Sequence, residues 1–289
     1  MKKLLIIPFS VLIGIALFFI VKFYFFHPDF YPIKSGVCAW AGDTRILNSN
    51  NTISSLELMK LESLVLPGDL IINRKDYYLS NYGIPGFWTH ISLFVGTNDE
   101  RKNFFSQDES CKEWVKSMGV ESGCFNELLH QSFKKKFSNR NHWKEKSIVE
   151  SVGTGVMIST FKNGASKDGI IVFRPQLKKI QLAKAIYKSF KLIAKPYDFN
   201  FDFSSDSTIA CTELIYKAFD ENPLFPVMNL MGNPFTTAHE IAEYGAINNA
   251  ESSKLALVYL YYENQSFQPQ YSDTAFIKLN ESLDASVLW

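Results

Sequence analysis

One short segment organises this chain: Ser204-Ser205-Asp206-Ser207-Thr208-Ile209-Ala210-Cys211-Thr212-Glu213-Leu214-Ile215-Tyr216-Lys217-Ala218-Phe219. Apolar residues recur in it at helical spacing and predict a helix with one buried face, made of Ile209, Leu214, Ile215, Ala218 and Phe219. Ser205, Asp206 or Ser207 is expected to cap this helix, because their oxygens accept hydrogen bonds from the first free N–H groups. Cys211 therefore lies near the start of a predicted helix.

A cysteine at a helix start has two interpretations. The helix dipole favours the thiolate there, and the thiolate is the nucleophilic form of the side chain. Cys211 is then a candidate nucleophile. A free cysteine is also among the residues most often buried in a core, so a purely structural role is the alternative.

Composition excludes several classes of function. The 289 residues suffice for one large domain or two small ones. The 30 Lys and Arg nearly balance the 29 Asp and Glu, so no basic field indicates a nucleic-acid partner. Four cysteines are too few for a disulfide scaffold, and no His/Cys group has zinc-ligand spacing. For the close pair Cys111 and Cys124, a disulfide and two separate thiols remain equal alternatives.

The N-terminus predicts a membrane anchor. Leu4 to Val21 contains no charged residue, and about 20 apolar residues span a bilayer. Bulky residues follow instead of a small-residue cleavage site, so residues 1–27 are expected to remain as a single transmembrane helix. Lys2 and Lys3 favour a cytoplasmic N-terminus. The rest of the chain is then expected outside the cytoplasm, on the periplasmic side of the inner membrane in a diderm bacterium.

The remaining sequence indicates a mixed α+β domain. Residues 28–63 contain many turn formers and are expected to connect the anchor to a domain at 64–263, with an insertion at 97–146 and a tail of uncertain order at 264–289. Strands and helices are predicted within the domain: strands near 69–72, 87–96, 147–152, 156–160, 168–175 and 254–263, and helices at 176–193 and 236–244.

Two polar residues lie on predicted strands. His90 lies in Phe87-Trp88-Thr89-His90-Ile91-Ser92-Leu93-Phe94-Val95-Gly96, and Glu150 lies in Ser147-Ile148-Val149-Glu150-Ser151-Val152. Taken alone, a structural histidine and an exposed strand charge are the simpler interpretations. A cysteine nucleophile, however, needs a base and a third group that orients the base. Cys211, His90 and Glu150 supply one group of each type.

Five pieces of the sequence, in order, carry a resemblance to a known family: Gly68-Asp69-Leu70-Ile71, Trp88-Thr89-His90-Ile91-Ser92-Leu93-Phe94-Val95-Gly96, Ile148-Val149-Glu150-Ser151, Lys195-Pro196-Tyr197-Asp198 through Phe203, and Ala210-Cys211-Thr212-Glu213-Leu214. Together they resemble the circularly permuted papain-like amidases, the YiiX/YaeF-like branch of the NlpC/P60 superfamily. The resemblance covers roughly residues 64 to 262 and leaves out the anchor, the insertion and the tail.

The resemblance implies a fold and a set of roles. The implied fold is α+β, with a small β-barrel or sheet that carries the histidine and precedes the nucleophile helix. Cys211 is the implied nucleophile, His90 the base and Glu150 its orienting partner, with no cofactor. Tyr197 matches a position near the site where relatives keep a tyrosine, which implies a second oxyanion donor or a substrate contact. Aromatic core packing is the alternative for Tyr197.

The expected function is that of a membrane-anchored cysteine hydrolase facing the cell envelope. Its expected substrate is an amide, with peptidoglycan stem peptides as the class that family analogy and location favour. A thiol-dependent lipid hydrolase or acyltransferase is the alternative, because other permuted relatives act on acyl lipids. A catalytically silent binding domain is the third hypothesis, and an intact Cys/His pair argues against it.

Overall fold

The computed structural model describes residues 31–137, 146–201, 203–230, 233–247, 254–269 and 273–285. The predicted anchor at residues 1–27 lies outside these ranges. Within them, no helix has both the length and the apolar character needed to cross a bilayer.

The strands fall into one large sheet and one hairpin. Their bounds are β1 Leu70–Arg74, β2 His90–Phe94, β3 Lys146–Val152, β4 Gly155–Thr160, β5 Gly169–Pro175, β6 Met228–Leu230, β7 Asn233–Phe235, β8 Leu255–Tyr262 and β9 Gln265–Phe267. The large sheet has seven strands in the order β4-β3-β2-β1-β5-β8-β9, and every pair of neighbours in it is antiparallel. The sequence left a barrel or a sheet open; the structure has a sheet with β4 and β9 at opposite edges.

The α-helices lie before, between and after these strands along the chain. Their bounds are α1 Tyr31–Asp43, α2 Ser55–Leu64, α3 Asn98–Phe105, α4 Glu109–Ser117, α5 Phe125–Phe137, α6 Phe161–Ala165, α7 Lys179–Leu192, α8 Cys211–Ala218, α9 Ala238–Ile247 and α10 Thr274–Leu283. A short 3₁₀ helix spans Leu79–Tyr82. The expected order, in which the histidine strand precedes the cysteine helix, is therefore confirmed.

Both faces of the sheet are covered, because side chains alternate along each strand. On β1, Leu70 and Ile72 belong to a core shared with α7 and α8. Ile71, between them, belongs to a second core that includes Leu58 and Leu61 of α2. Full burial of each such aliphatic side chain contributes about 1.5–3 kcal/mol. The site-bearing strands are thus fixed from both sides.

The segment predicted to connect anchor and domain is more ordered than its turn formers indicate. α1 occupies residues 31–43 of it. Pro32 lies in the first turn, where a missing N–H costs nothing. Two hydrogen bonds hold the helix to the domain: Tyr31 Oη donates to the Tyr197 carbonyl at 3.0 Å, and Lys34 Nζ donates to Asn200 Oδ1 at 2.7 Å. These tertiary contacts, which the local sequence does not reveal, stabilise the helix.

The predicted insertion is built into the core. Its described part forms α3, α4 and α5, and α4 and α5 pack against α7. Phe105, Cys111 and Val115 of this region belong to the same core as Leu214 of α8. All four cysteines of the chain lie within the described ranges, and all are free thiols. Of the two alternatives for Cys111 and Cys124, the structure therefore has two separate thiols.

The tail, whose order the sequence left uncertain, also folds onto the domain. It contains β9, which pairs with β8, and α10. Trp88 Nε1 donates to Ser282 Oγ of α10 at 3.1 Å, in a fully buried contact. The tail therefore closes over the tryptophan that precedes the histidine strand.

Candidate active site

The cysteine helix begins later, and is capped differently, than the sequence predicts. Cys211 is its first residue and Ala210 its N-cap. Ser205 and Ser207 bond to each other in the preceding loop, so the expected cap by Ser205, Asp206 or Ser207 is wrong. Instead, Glu213 Oε2 accepts from the Ala210 N–H at 2.9 Å. A carboxylate three residues into a helix supplies the same kind of partner to a free N–H.

The Glu213 carboxyl is fully buried. Burial raises its pKa from 4.5 to about 7, although the hydrogen bond from the Ala210 N–H and the charge of Lys217 both lower it. The folded protein thus keeps a proton that the unfolded chain loses near pH 4.5, so stability should fall as pH rises through this window. In Glu213→Gln, the decrease in the free energy of unfolding between about pH 5 and about pH 8 should be smaller by about 2 kcal/mol. Urea unfolding at about pH 5 and about pH 8 measures it.

Glu240→Gln is the matched control, because Glu240 Oε2 accepts from the Thr237 N–H at 2.7 Å in the same way at the start of α9, but is half-buried. Because, of these two carboxyls, only Glu213 is fully buried, we expect the pH dependence to change more in Glu213→Gln than in this variant. An equal pH dependence in Glu213→Gln and the parent would contradict the assignment.

Cys211 lies where two strands of the sheet part. The pairing of β2 with β3 begins where Phe94 lies opposite Ile148. It ends two residues later, where Ser92 lies opposite Glu150. Beyond that point Ser151 Oγ donates to the Ile209 carbonyl at 2.6 Å, which fixes the start of α8 against β3. The Ile91 N–H, released from the ladder, bonds the Cys211 sulfur, as does the Thr212 N–H.

The three predicted catalytic residues are brought together. His90 Nε2 lies 3.2 Å from Glu150 Oε2, and the His90 ring also hydrogen-bonds the Cys211 thiol. Since Nε2 faces Glu150, Nδ1 is the ring nitrogen left for the sulfur. His90 and Glu150 are diagonal neighbours, because Ser92 is the residue opposite Glu150. The interpretation of Glu150 as an exposed charge is wrong, since the residue is only 6% exposed.

The electrostatics of these groups favour a charged pair. Burial would lower the pKa of His90, but its hydrogen bonds to Cys211 and Glu150 and their negative charges raise it to about 9. Burial would likewise raise the pKa of the Cys211 thiol, but His90 and the two N–H groups lower it. Burial opposes ionisation of Glu150 as well, and His90 and Ser159 bring its pKa to about 2. The arrangement therefore stabilises thiolate and imidazolium together.

Tyr197 is a second side chain that interacts with the Cys211 sulfur. Its hydroxyl hydrogen-bonds Cys211, and burial together with the thiolate charge raises its pKa well above 10. The tyrosine thus stays protonated and remains a donor. The core-packing alternative for Tyr197 leaves this contact unexplained, although the ring also packs on Phe199 at 4.7 Å between centroids.

A cavity of about 310 Å³ opens beside these residues, and His90, Glu150 and Tyr197 line it. Cys211 is 6% exposed and does not itself line the cavity, but His90 and Tyr197, which do, both interact with its thiol. α1 forms one wall through residues 38–43, and aromatic side chains of the 197–201 segment form another. In the described part of the chain, no group of three or more His, Cys, Asp or Glu residues has the geometry to bind a metal ion.

Residues 65–243 match the family of permuted papain-like amidase enzymes described as YaeF/YiiX, C92. The match covers more than half of the chain. This protein belongs to that family. The amidase is accordingly a cysteine-dependent enzyme with the mixed α+β fold of permuted papain-like proteins.

Other comparisons add little to this assignment. The amidase is similar to a solved structure described as metalloprotein yiiX from Escherichia coli O157:H7, with 14% identity over 74% of this chain and 92% of that chain. The TM-score is 0.37, which is too low for the likeness to support a conclusion about this chain. Comparison with proteins of curated function gave no significant match.

One polar residue of the amidase site, Ser159, is not among the residues predicted from the sequence. Ser159 Oγ donates a hydrogen bond to Glu150 Oε1. The signal was present, because the turn at Gly153-Thr154-Gly155 makes β3 and β4 a hairpin. Its register sets Met157 opposite Glu150, and Ser159 is therefore the next side chain on the same face. The N–H groups of Ile91 and Thr212 carry no sequence signal.

Proposed function

We propose that this protein hydrolyses amide bonds through an acyl thioester on Cys211, with His90 as general base and acid and Glu150 as the partner that orients His90. The observation that carries the proposal is the continuous hydrogen-bonded chain from the Cys211 sulfur through His90 to Glu150 and Ser159, beside a cavity. Each group has the ionisation state that the reaction needs.

The chemistry follows from these positions. The Cys211 thiolate attacks the amide carbonyl carbon, forming the sulfur–carbon bond and a tetrahedral oxyanion. His90 then gives its proton to the leaving amine, and the carbon–nitrogen bond breaks. A water molecule, deprotonated by His90, attacks the thioester and releases the acid. Glu150 keeps the imidazole in place through both proton transfers.

The oxyanion requires donors at its own position. The Cys211 backbone N–H is one candidate, because the first N–H groups of a helix have no intrahelical partner. The Tyr197 hydroxyl is the second, since it remains protonated and lies against the sulfur. Neutral or positive donors at this point favour the transition state over the bound substrate.

For the substrate, we propose amides of the cell envelope, with peptidoglycan stem peptides as the class. The supporting arguments are the amidase family and the apolar run from Leu4 to Val21, which would anchor the enzyme outside the cytoplasm in the inner membrane. α1 follows the anchor segment directly and forms a wall of the cavity. Substrates near the bilayer surface would therefore meet the site.

One observation supports the second candidate, a thiol-dependent lipid hydrolase or acyltransferase. Tyr197, Phe199 and Phe201 line the cavity, and aromatic walls suit acyl chains. Incubating the protein with purified cell wall and with phospholipid vesicles separates the two. Soluble peptide fragments lost in Cys211→Ala support the amidase, whereas released fatty acid supports the lipid enzyme.

The sharpest test of the catalytic pair is the rate of Cys211 alkylation by iodoacetamide as a function of pH. We expect an apparent thiol pKa well below the usual value of about 8.5. His90→Ala should raise this pKa, since it removes the charge and hydrogen bond that stabilise the thiolate. His130→Ala, which changes an exposed histidine of α5, is the control and should leave it unchanged. A Cys211 thiol that titrates alike in all three proteins would refute the pair.

A further inference from the structure

Two lysines share the cavity with the proposed catalytic residues. Lys75 follows β1 and Lys167 precedes β5, and both line the cavity together with His90 and Glu150. β1 and β5 are neighbours in which Arg74 lies opposite Gly169, so both lysines lie at the same end of this strand pair. Burial first, and then the charge of Lys75, lower the pKa of Lys167 to about 8. The two ammonium groups therefore repel each other inside the cavity.

The negative charges near these lysines are engaged elsewhere. Among the residues that the structure describes, no carboxylate lies within ion-pair distance of Lys75, whose Nζ lies 4.8 Å from the centre of the Tyr78 ring. Lys167 Nζ donates to the Asn163 carbonyl at 2.6 Å. Glu150 and Asp168 attract Lys167, but Glu150 is bound to His90 and Ser159.

Asp168 is equally occupied. Its carboxylate accepts from Arg45 Nη2 at 2.8 Å, from Thr52 Oγ1 and from the Asp76 N–H at 2.8 Å. Asp43 is the remaining acid of the cavity wall. In the part of the chain that the structure describes, neither lysine forms an ion pair with any of these carboxylates.

A third donor lies between these lysines and the catalytic histidine. Asn73 of β1 is 1% exposed and lines the same cavity. It lies opposite His90 of β2. Its Nδ2 has no hydrogen-bond acceptor among the described residues. A buried amide N–H without an acceptor is unfavourable, so its retention in a cavity wall indicates a missing acceptor. Asn73 is the penultimate residue of β1 and Lys75 is the first residue after it, and both line the cavity.

We propose that Asn73, Lys75 and Lys167 form a subsite for an oxyanion group, a carboxylate or a phosphate, carried by the substrate next to the scissile amide. This inference rests on the proposed function and deepens it: the preferred substrate is an anionic amide rather than a neutral one. An anion here would accept from Asn73 Nδ2 and separate the two ammonium charges.

Binding can be measured without catalysis. In full-length Cys211→Ala protein in detergent, inorganic phosphate at constant ionic strength should raise the unfolding temperature in a saturable manner. Lys75→Gln and Lys167→Gln, each in that background, should weaken phosphate binding by about tenfold. Lys60→Gln, at an exposed lysine outside the cavity, should not. Lys167→Arg keeps the charge and should bind within about threefold of the parent.

Competition then separates the two chemistries. If N-acetylalanine displaces phosphate and its carboxamide does not, the subsite binds a carboxylate. If neither compound displaces phosphate, the subsite binds a phosphate group. The subsite is overturned if phosphate does not bind saturably, or if Lys60→Gln weakens binding as much as Lys75→Gln. These outcomes do not depend on Cys211 chemistry. Phosphate binding combined with an unreactive Cys211 would refute the proposed hydrolase alone.

Discussion

Replacing Cys211 by alanine is expected to lower the rate of amide hydrolysis by about 10⁴-fold or more, because loss of the nucleophile from a triad has effects of that size. The alanine removes the atom that bonds to the acyl group while changing little else. Cys211 contributes a small buried side chain to the core, so the fold should survive. Release of peptide from cell wall, compared with the free energy of unfolding in urea, checks both statements.

The informative control is another thiol, one that lines the cavity. Cys38 of α1 lines the cavity wall, but burial raises its pKa despite the opposing charge of Lys34. It is therefore a protonated and poor nucleophile at neutral pH. Cys38→Ser should keep activity within about threefold of the parent. If Cys38→Ser loses hydrolysis and Cys211→Ala retains it, the nucleophile is on α1 and the proposal fails.

Glu150→Gln is expected to lower kcat/KM by about 10²-fold to 10⁴-fold, as for loss of the orienting carboxylate in a comparable triad. Glutamine keeps the volume and the contact with Ser159 but removes the negative charge that raises the pKa of His90. The pH profile should change in a defined direction. The imidazolium that holds the thiolate is present below the His90 pKa of about 9 and is lost as pH rises through it. In Glu150→Gln that loss should come at lower pH.

Two further variants make this measurement decisive. Ser159→Ala removes the hydrogen bond to Glu150 Oε1 but leaves the Glu150 charge, so its alkaline limb should lie close to that of the parent. Glu57→Gln, at a carboxylate paired with Lys60 outside the cavity, should leave the profile unchanged. An alkaline limb at the same pH in the parent and Glu150→Gln would show that Glu150 does not act through His90.

The strongest local signals in the sequence predicted elements that the structure contains. The apolar run around Ile91 and Leu93 forms β2, and the helical spacing of Leu214, Ile215 and Ala218 forms α8. These patterns are reliable because a buried face constrains side chains at a fixed period. The order of the pieces also sufficed for the family resemblance, which the match over residues 65–243 confirms.

Weaker local signals failed where tertiary contacts decide the outcome. α1 forms in a segment with Pro32, Gly36 and Gly42 because Tyr31 and Lys34 bond to the 197–200 segment. Propensity alone is a weak prior and yields to such contacts. The cap by Glu213 was missed for a related reason, since three serine or aspartate candidates precede Ala210 in the sequence and all remain in the loop.

The sequence by itself determined which residue types were available, the order of strand and helix, and the family. Only the tertiary structure decided that β2 and β3 part below Ser92, so that the Cys211 sulfur takes the Ile91 N–H and approaches His90. It also decided that Lys75, Lys167 and Asn73 meet in one cavity. The physical reason is that periodicity reports only which side of an element is buried. Distances between elements depend on register and packing, which no single segment encodes.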